Sequence, residues 1–181
     1  MSTQNVKGLA ELQKFLDQLP VNVEQKIMRA AMRAGAKVIL TEARAKVPVG
    51  PPSGENATLY GAHAGALRDS LRITTSARKG TVKAKIRAGD NRNGQPVFYA
   101  HFVEFGTAAH FIAPKNAKAL FWSGHPLENG VHHPGAVAKP FMRPAMHTQS
   151  QAALVAVGNA VKSRLTKAGL EGAADIEVEG T

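Results

Sequence analysis

Seven histidines and no cysteine bound the chemistry open to this 181-residue chain. Without thiols there is no disulfide, no thiolate metal site and no Cys nucleophile. His125, His132 and His133 share one stretch with Glu128, and imidazoles plus a carboxylate can hold zinc with an open coordination position. Their spacing matches no zinc-ligand pattern, and adjacent histidines in an extended chain point their rings apart. The nucleophile elbow GxSxG, the phosphate loop GxxxxGKS/T, the dinucleotide loop GxGxxG and the metalloprotease HExxH are all missing. Glu104 stands six residues before His110, which is no recognised acid–base spacing. The expectation is a chain that is not an enzyme, with no catalytic residue, no metal and no cofactor.

Positive charge is the other chemical resource. Lys83, Lys85 and Arg87 form a ladder on alternate residues, with Arg68, Arg72, Arg78 and Lys79 close by in sequence. Such a row can lie along a phosphate backbone or against an acidic protein surface. Single-strand binders need aromatic platforms interleaved with the cations. Here the aromatics fall elsewhere, in 98–105 and 111–122. Arg68, Arg72, Lys83, Lys85 and Arg87 are therefore candidates for an interaction surface, with at most transient contact with DNA. The net charge of +10 divides into +14 over residues 1–167 and −4 over residues 168–181.

The elements that must position these groups follow from periodicity. Hydrophobic residues make up 44% of the chain, enough for one globular domain, and no run approaches the length of a membrane span. With no cysteine and no secretion-type leader, the reading is a soluble protein made in a reducing compartment, without a membrane partner. Leu9, Leu12, Leu16 and Leu19 predict an N-terminal helix over 6–19. Asn22 is a cap for a second, over 22–47, with the stripe Val23, Ile27, Ala30, Ala34, Val38 and Ala45 and a basic face of Lys26, Arg29, Arg33, Lys37 and Arg44. That stripe is small enough for a close neighbour, and Pro48 ends the helix. Residues 48–66 are Gly- and Pro-rich without period, a long loop. Residues 67–77 predict a strand and Arg78–Thr81 a tight turn. Val82, Ala84, Ile86 and Ala88 then alternate with the cations as a second strand, followed by a turn over 90–94. Val97–Thr107 is mostly bulky and apolar, so it is expected to be buried on most sides, either as a short helix running into a strand or as one strand. Residues 108–138 read as an elaborated loop with two short strands near Phe111 and Phe121. A final helix runs from Pro140 to about Leu165 on Met146, Ala153, Leu154, Val157, Ala160, Val161 and Leu165, and residues 168–181 form a loose acidic tail. The sum is an α+β fold: a small antiparallel sheet packed by two long helices, with long irregular loops. In domain terms, an N-terminal helix in 1–20 precedes a single domain over 21–167, with extended loops 48–66 and 108–138, and then the acidic tail.

Two separated motifs carry a resemblance. Tyr99-Ala100-His101-Phe102-Val103-Glu104-Phe105-Gly106-Thr107 and Lys139-Pro140-Phe141-Met142-Arg143-Pro144-Ala145 resemble the YAxxVEFGT…PFxRPA signature of the tail-completion, or head–tail joining, proteins of long-tailed bacteriophages and prophages. Gly65-Ala66-Leu67-Arg68-Asp69-Ser70-Leu71 resembles the TGxLRxSL element of that family, with Ala64 in place of the Thr. The resemblance spans about 23–165. It implies a non-enzymatic structural protein of the virion, assembled in the host cytoplasm. Such a protein forms a ring, usually of six copies, at the neck; its partners are the stopper or connector, the tail terminator and the tail tube. Loops 48–66 and 108–138 are the segments expected to reach neighbours. From the residues themselves, Glu104 is a carboxylate among apolar side chains and needs a partner. Arg143, with its planar fork, is the natural one. Gly106 lets the chain turn sharply or approach another backbone. Pro140 and Pro144 fix the approach to the last helix, with Phe141 as an apolar plug between them.

Overall fold

The computed structural model describes residues 21–50, 64–89, 97–114, 120–122, 125–127 and 130–167. The helix expected over 6–19, most of loop 48–66, the turn at 90–94 and the acidic tail lie outside them. The described elements are α1 (Val21–Lys46), α2 (Ala66–Ser70), β1 (Arg72–Arg78), β2 (Thr81–Arg87), α3 (Ala100–Phe105), β3 (His110–Ile112), β4 (Leu120–Trp122), β5 (His125–Leu127), β6 (Val131–His133) and α4 (Met142–Lys167). The fold is α+β with two long helices, as the element order predicts.

The two long helices lie antiparallel. Ile27 and Ala31 of α1 meet Val161 and Leu165 of α4 at one end, while Leu40, Ala43 and Val47 share a core with Phe141 and Ala145 at the other. Between these clusters Gly35 brings the backbones together: a Cβ added there would fall 2.8 Å from the carbonyl oxygen of Ala153. The expected small-residue contact is present, but its stripe is displaced. The buried face of α1 is Ile27, Ala31, Gly35, Leu40 and Ala43, with buried Val47 just past its end, whereas Val23 and Ala45 are exposed. Asn22, expected as the cap, lies inside the helix, which already runs at Val21. The plug residue Phe141, just before α4, and Ala145 in its first turn are buried, and Met146 and Leu154 of the expected stripe face out.

β1 and β2 form an antiparallel hairpin that packs on α1. Ile73 and Ile86 of its apolar face join the larger core. The turn at Lys79-Gly80 has positive φ at both residues, 49° and 73°, the primed geometry whose twist matches that of the strands. The strand expected over 67–77 is a helix for its first part. Gly65 opens α2 in the left-handed region at φ 88°, Ala66 and Leu67 are buried, and the chain becomes extended only at Leu71. The strands do not unite into one sheet either. Among the described residues there are three separate antiparallel pairs, β1–β2, β3–β6 and β4–β5; the last two lie inside the stretch 108–138, where β3 and β4 are the short strands expected near Phe111 and Phe121 and β5 and β6 are their partners.

Candidate interaction site

The two signature motifs meet in space, and Glu104 is the point of contact. Tyr99, Ala100 and Val103 pack on the main core, which fixes α3 and aims Glu104 inward. Glu104 is only 5% exposed. One carboxylate oxygen accepts hydrogen bonds from the backbone N–H of Phe141 at 2.8 Å and Met142 at 2.9 Å. The other accepts from the N–H of Arg143 at 3.1 Å and from its Nε at 3.2 Å. A helix leaves its first four N–H groups without internal partners. At α4, Glu104 takes three of them, and the fourth position is Pro144, which has no N–H. A residue 37 positions upstream thus caps the helix, with its charge placed where the helix dipole favours an anion.

Burial pushes the Glu104 carboxyl towards a higher pKa, but donation from Met142, Phe141 and Arg143 outweighs it and holds the group below its ordinary range. The structure brings Glu104 and Arg143 together, though not as the two-bond fork expected. Arg143 gives one bond to the carboxylate and another, Nη2 at 3.2 Å, to the carbonyl oxygen of Glu104, because backbone donors already occupy the second carboxylate oxygen. The Arg143 side chain is itself 58% exposed and lies over the ring of Phe105, 4.8 Å from its centroid.

Further bonds close this clasp. Gly106 ends α3 with φ 73° and ψ −177°, a region that only glycine occupies at low cost. A Cβ there would lie 2.6 Å from the carbonyl oxygen of Ala136. Thr107 and Ala136 exchange backbone hydrogen bonds, and the N–H of Lys139, next to Pro140, donates to Val103 O at 2.8 Å.

The expectation that 97–107 is buried on most sides does not hold. The carboxylate is inside and three phenylalanines are outside: Phe98 is 69% exposed, Phe105 66% and Phe102 42%. The short-helix alternative is the one adopted, and a six-residue helix anchored through Tyr99, Val103 and Glu104 must turn its other residues outward. Beside them is a groove of about 720 Å³, lined by Gly89, Val97, Phe98, Glu104, Phe105 and Arg143 among others. Sequence reasoning misses Phe98, Phe102 and Phe105 as surface groups, since residue type without period does not reveal which aromatics face out.

The hairpin holds the second candidate surface. Lys83, Lys85 and Arg87 are exposed on alternate positions, opposite Ser76, Thr74 and Arg72. Between Asp69 and Asp90 there is no acidic residue. Arg72 is half-buried and structural in part, its Nη1 donating to Gly89 O at 2.9 Å. Arg68 pairs with Asp69 at 3.3 Å. The exposed ladder is therefore Lys83, Lys85 and Arg87, with Arg78 at the tip. Of the histidines, His101 lines the groove beside Phe102, whereas His132 lies against Phe111 and His133 against His110, on opposite faces of β6, as neighbours in a strand must.

Compared with known protein families, the chain matches the family model HK97-gp10-like, described as a tail component of bacteriophage HK97-gp10 type, over residues 10–106. That span is more than half of the chain and includes all of the first signature motif but its last residue, Thr107, and so includes Glu104. No curated protein and no solved structure matches.

Proposed function

The chain belongs to the HK97-gp10-like family of bacteriophage tail components, and on that premise we propose that it is a structural protein of the virion that closes as a ring of six copies at the head-proximal end of the tail. There it joins the tail to the head connector, with the stopper, the tail terminator and the tail tube as neighbours, and it catalyses nothing. Assembly takes place in the host cytoplasm. The observation that carries this reading is the set of exposed phenylalanines, Phe98, Phe102 and Phe105, on a segment tied down by the Glu104 clasp. Large apolar groups held rigidly at the surface mark a protein interface, and aromatic anchors of this kind dominate interface energetics. A ring needs one face of a subunit to fit a different face of the next. The aromatic groove supplies one such face, and the loops within 48–66 and 108–138 are candidates for what enters it. The cations of β2 supply charge complementarity that chooses among partners.

The test is complementation of a phage lacking this gene with the double variant Phe98→Ser, Phe105→Ser. The expected outcome is a folded protein with DNA-filled heads and finished tails that remain unjoined. Joined, infectious particles at the wild-type yield would overturn the reading. A different neck ring, such as the tail terminator, would instead show its position in a reconstruction of the particle. One further observation favours a reading of another class: the Lys83, Lys85 and Arg87 ladder, with no acidic residue on either strand of its hairpin, suits a basic nucleic-acid-binding protein. That reading requires DNA affinity that falls steeply with salt; retention of duplex DNA in gels at physiological salt would favour it over the ring.

A further inference from the structure

The acidic stretch near residue 175 carries the same order as β2 with the opposite sign. Asp175, Glu177 and Glu179 alternate with Ile176 and Val178, and a period of two is the period of a strand. On β2, Lys83, Lys85 and Arg87 are exposed while Val82, Ala84 and Ile86 are half-buried. Among the described residues no third strand pairs with β2, so its outer edge presents backbone donors and acceptors as a template. The cations keep the β2 edges of two copies from pairing with each other, because like charges would stand opposite. An acidic strand meets no such barrier.

We propose that residues 175–179 of a neighbouring copy add to the outer edge of β2 as a third strand, with their carboxylates on the face of Lys83, Lys85 and Arg87 and their aliphatic side chains on the face of Ala84 and Ile86. Main-chain bonds supply affinity in this mode of recognition and the alternate side chains supply specificity. The inference rests on the self-association part of the ring reading and names a contact that would link one subunit to the next.

The neighbour, not the chain's own tail, is the occupant because of reach. Ile86 packs into the cluster that holds Leu40 and Ala145, whereas α4 ends at Lys167, beyond the opposite cluster of Ile27 and Leu165. From Ala145 to Lys167 the helix rises about 33 Å, and the hairpin packs chiefly on α1, a further ~10 Å across. Residues 168–177, which would have to bring Glu177 to Lys85, span about 33–36 Å even when fully extended, which leaves the chain's own tail no slack for a path around the helices.

The pairing has a central register that does not depend on strand direction: Lys85 faces Glu177 whether the added strand runs parallel or antiparallel. Because the chain has no cysteine, Lys85→Cys and Glu177→Cys each introduce a single thiol. Opposed residues in a strand pair lie within disulfide range. The two full-length variants are mixed at neutral pH and physiological salt under mild oxidation. The expected product is the mixed dimer, bridged from position 85 of one chain to position 177 of the other, in about tenfold excess over either like-with-like dimer. Adding Asp175→Asn and Glu179→Gln to the Glu177→Cys chain brings the products to statistical proportions. The charge exchange of Lys83→Glu and Arg87→Glu on one chain with Asp175→Lys and Glu179→Lys on the other restores the excess. Statistical products from the first mixture overturn the proposal, as does a chain carrying both substitutions that closes on itself as a monomer. Native mass spectrometry of the unmodified protein separates the two readings: assembled rings with statistical cross-linking overturn strand addition alone, and a chain monomeric at every concentration overturns both.

Discussion

The clasp at Glu104 and the hairpin face of β2 treat charge in opposite ways. In the clasp a single carboxylate, nearly shut off from water, is met by three backbone N–H groups and a guanidinium. On the hairpin, Lys83, Lys85 and Arg87 stand in solvent with no acidic residue on either strand. A charge that is buried and fully bonded belongs to the fold, and removing it leaves orphaned donors. A row of exposed like charges adds little to folding and costs a little through mutual repulsion, so in the proposed reading its use lies outside the monomer. The first region ties the fold together; the second is the one proposed to meet a partner.

Substitutions can break or sharpen that contrast. Glu104→Ala has the largest expected effect, a loss of about 3 kcal/mol of folding stability in urea titration, because it strands three N–H groups and Arg143 at once. Glu104→Gln keeps an acceptor and is expected to lose less. The acid dependence follows from the same geometry. The folded carboxyl titrates below its ordinary value near 4.5, so its stabilisation is complete above that pH and fades as pH falls through the lower folded value. The deficit of Glu104→Gln relative to wild type should therefore shrink on acidification below pH 4.5; a deficit constant with pH would mean that the charge plays no part.

Gly106→Ala comes next, at about 2–3 kcal/mol, combining backbone strain with the collision at Ala136 O. Arg143→Met should cost only about 1 kcal/mol, since this half of the ion pair is largely exposed. A loss equal to that of Glu104→Ala would shift the credit from the backbone donors to the ion pair. Smallest is the triple change of Lys83, Lys85 and Arg87 to Gln, expected within about 0.5 kcal/mol of wild type. Binding of the same variant to its partners should weaken markedly. If folding collapsed and binding survived, the contrast between the two regions would be reversed.

Sequence pattern reveals the hairpin more fully than the clasp. The alternation of Val82, Ala84 and Ile86 with cations appears in the structure as read, because a strand's period is a purely local signal. The Arg78–Thr81 turn is local too. Glu104 is identifiable as a carboxylate in apolar company, and Arg143 as a partner of suitable chemistry. What the residues do not disclose is that its main partners are backbone groups of Phe141, Met142 and Arg143, since N–H donors have no letter of their own. Pro144 in the first turn of α4 is the one visible trace of that arrangement. The short α2 escapes pattern reading because Leu71 and Ile73 extend a strand-like alternation up to it, while the left-handed opening at Gly65 works over only five residues. The buried stripe of α1 is displaced because Gly35 scores as neutral by type, yet it is the residue that admits α4.

The division of the α4 donors between Glu104 and Pro144 also has an evolutionary consequence. The two residues lie in different motifs, and Glu104 falls within the span of the family match while Pro144 lies beyond it, yet they satisfy a single requirement. Any residue but proline at 144 adds a donor that the two oxygens of Glu104, already holding four hydrogen bonds between them, must serve or leave stranded. Loss of Glu104 makes every donor at that end an orphan. Substitutions at these two sites are therefore epistatic, and among homologues the pair should drift together or not at all.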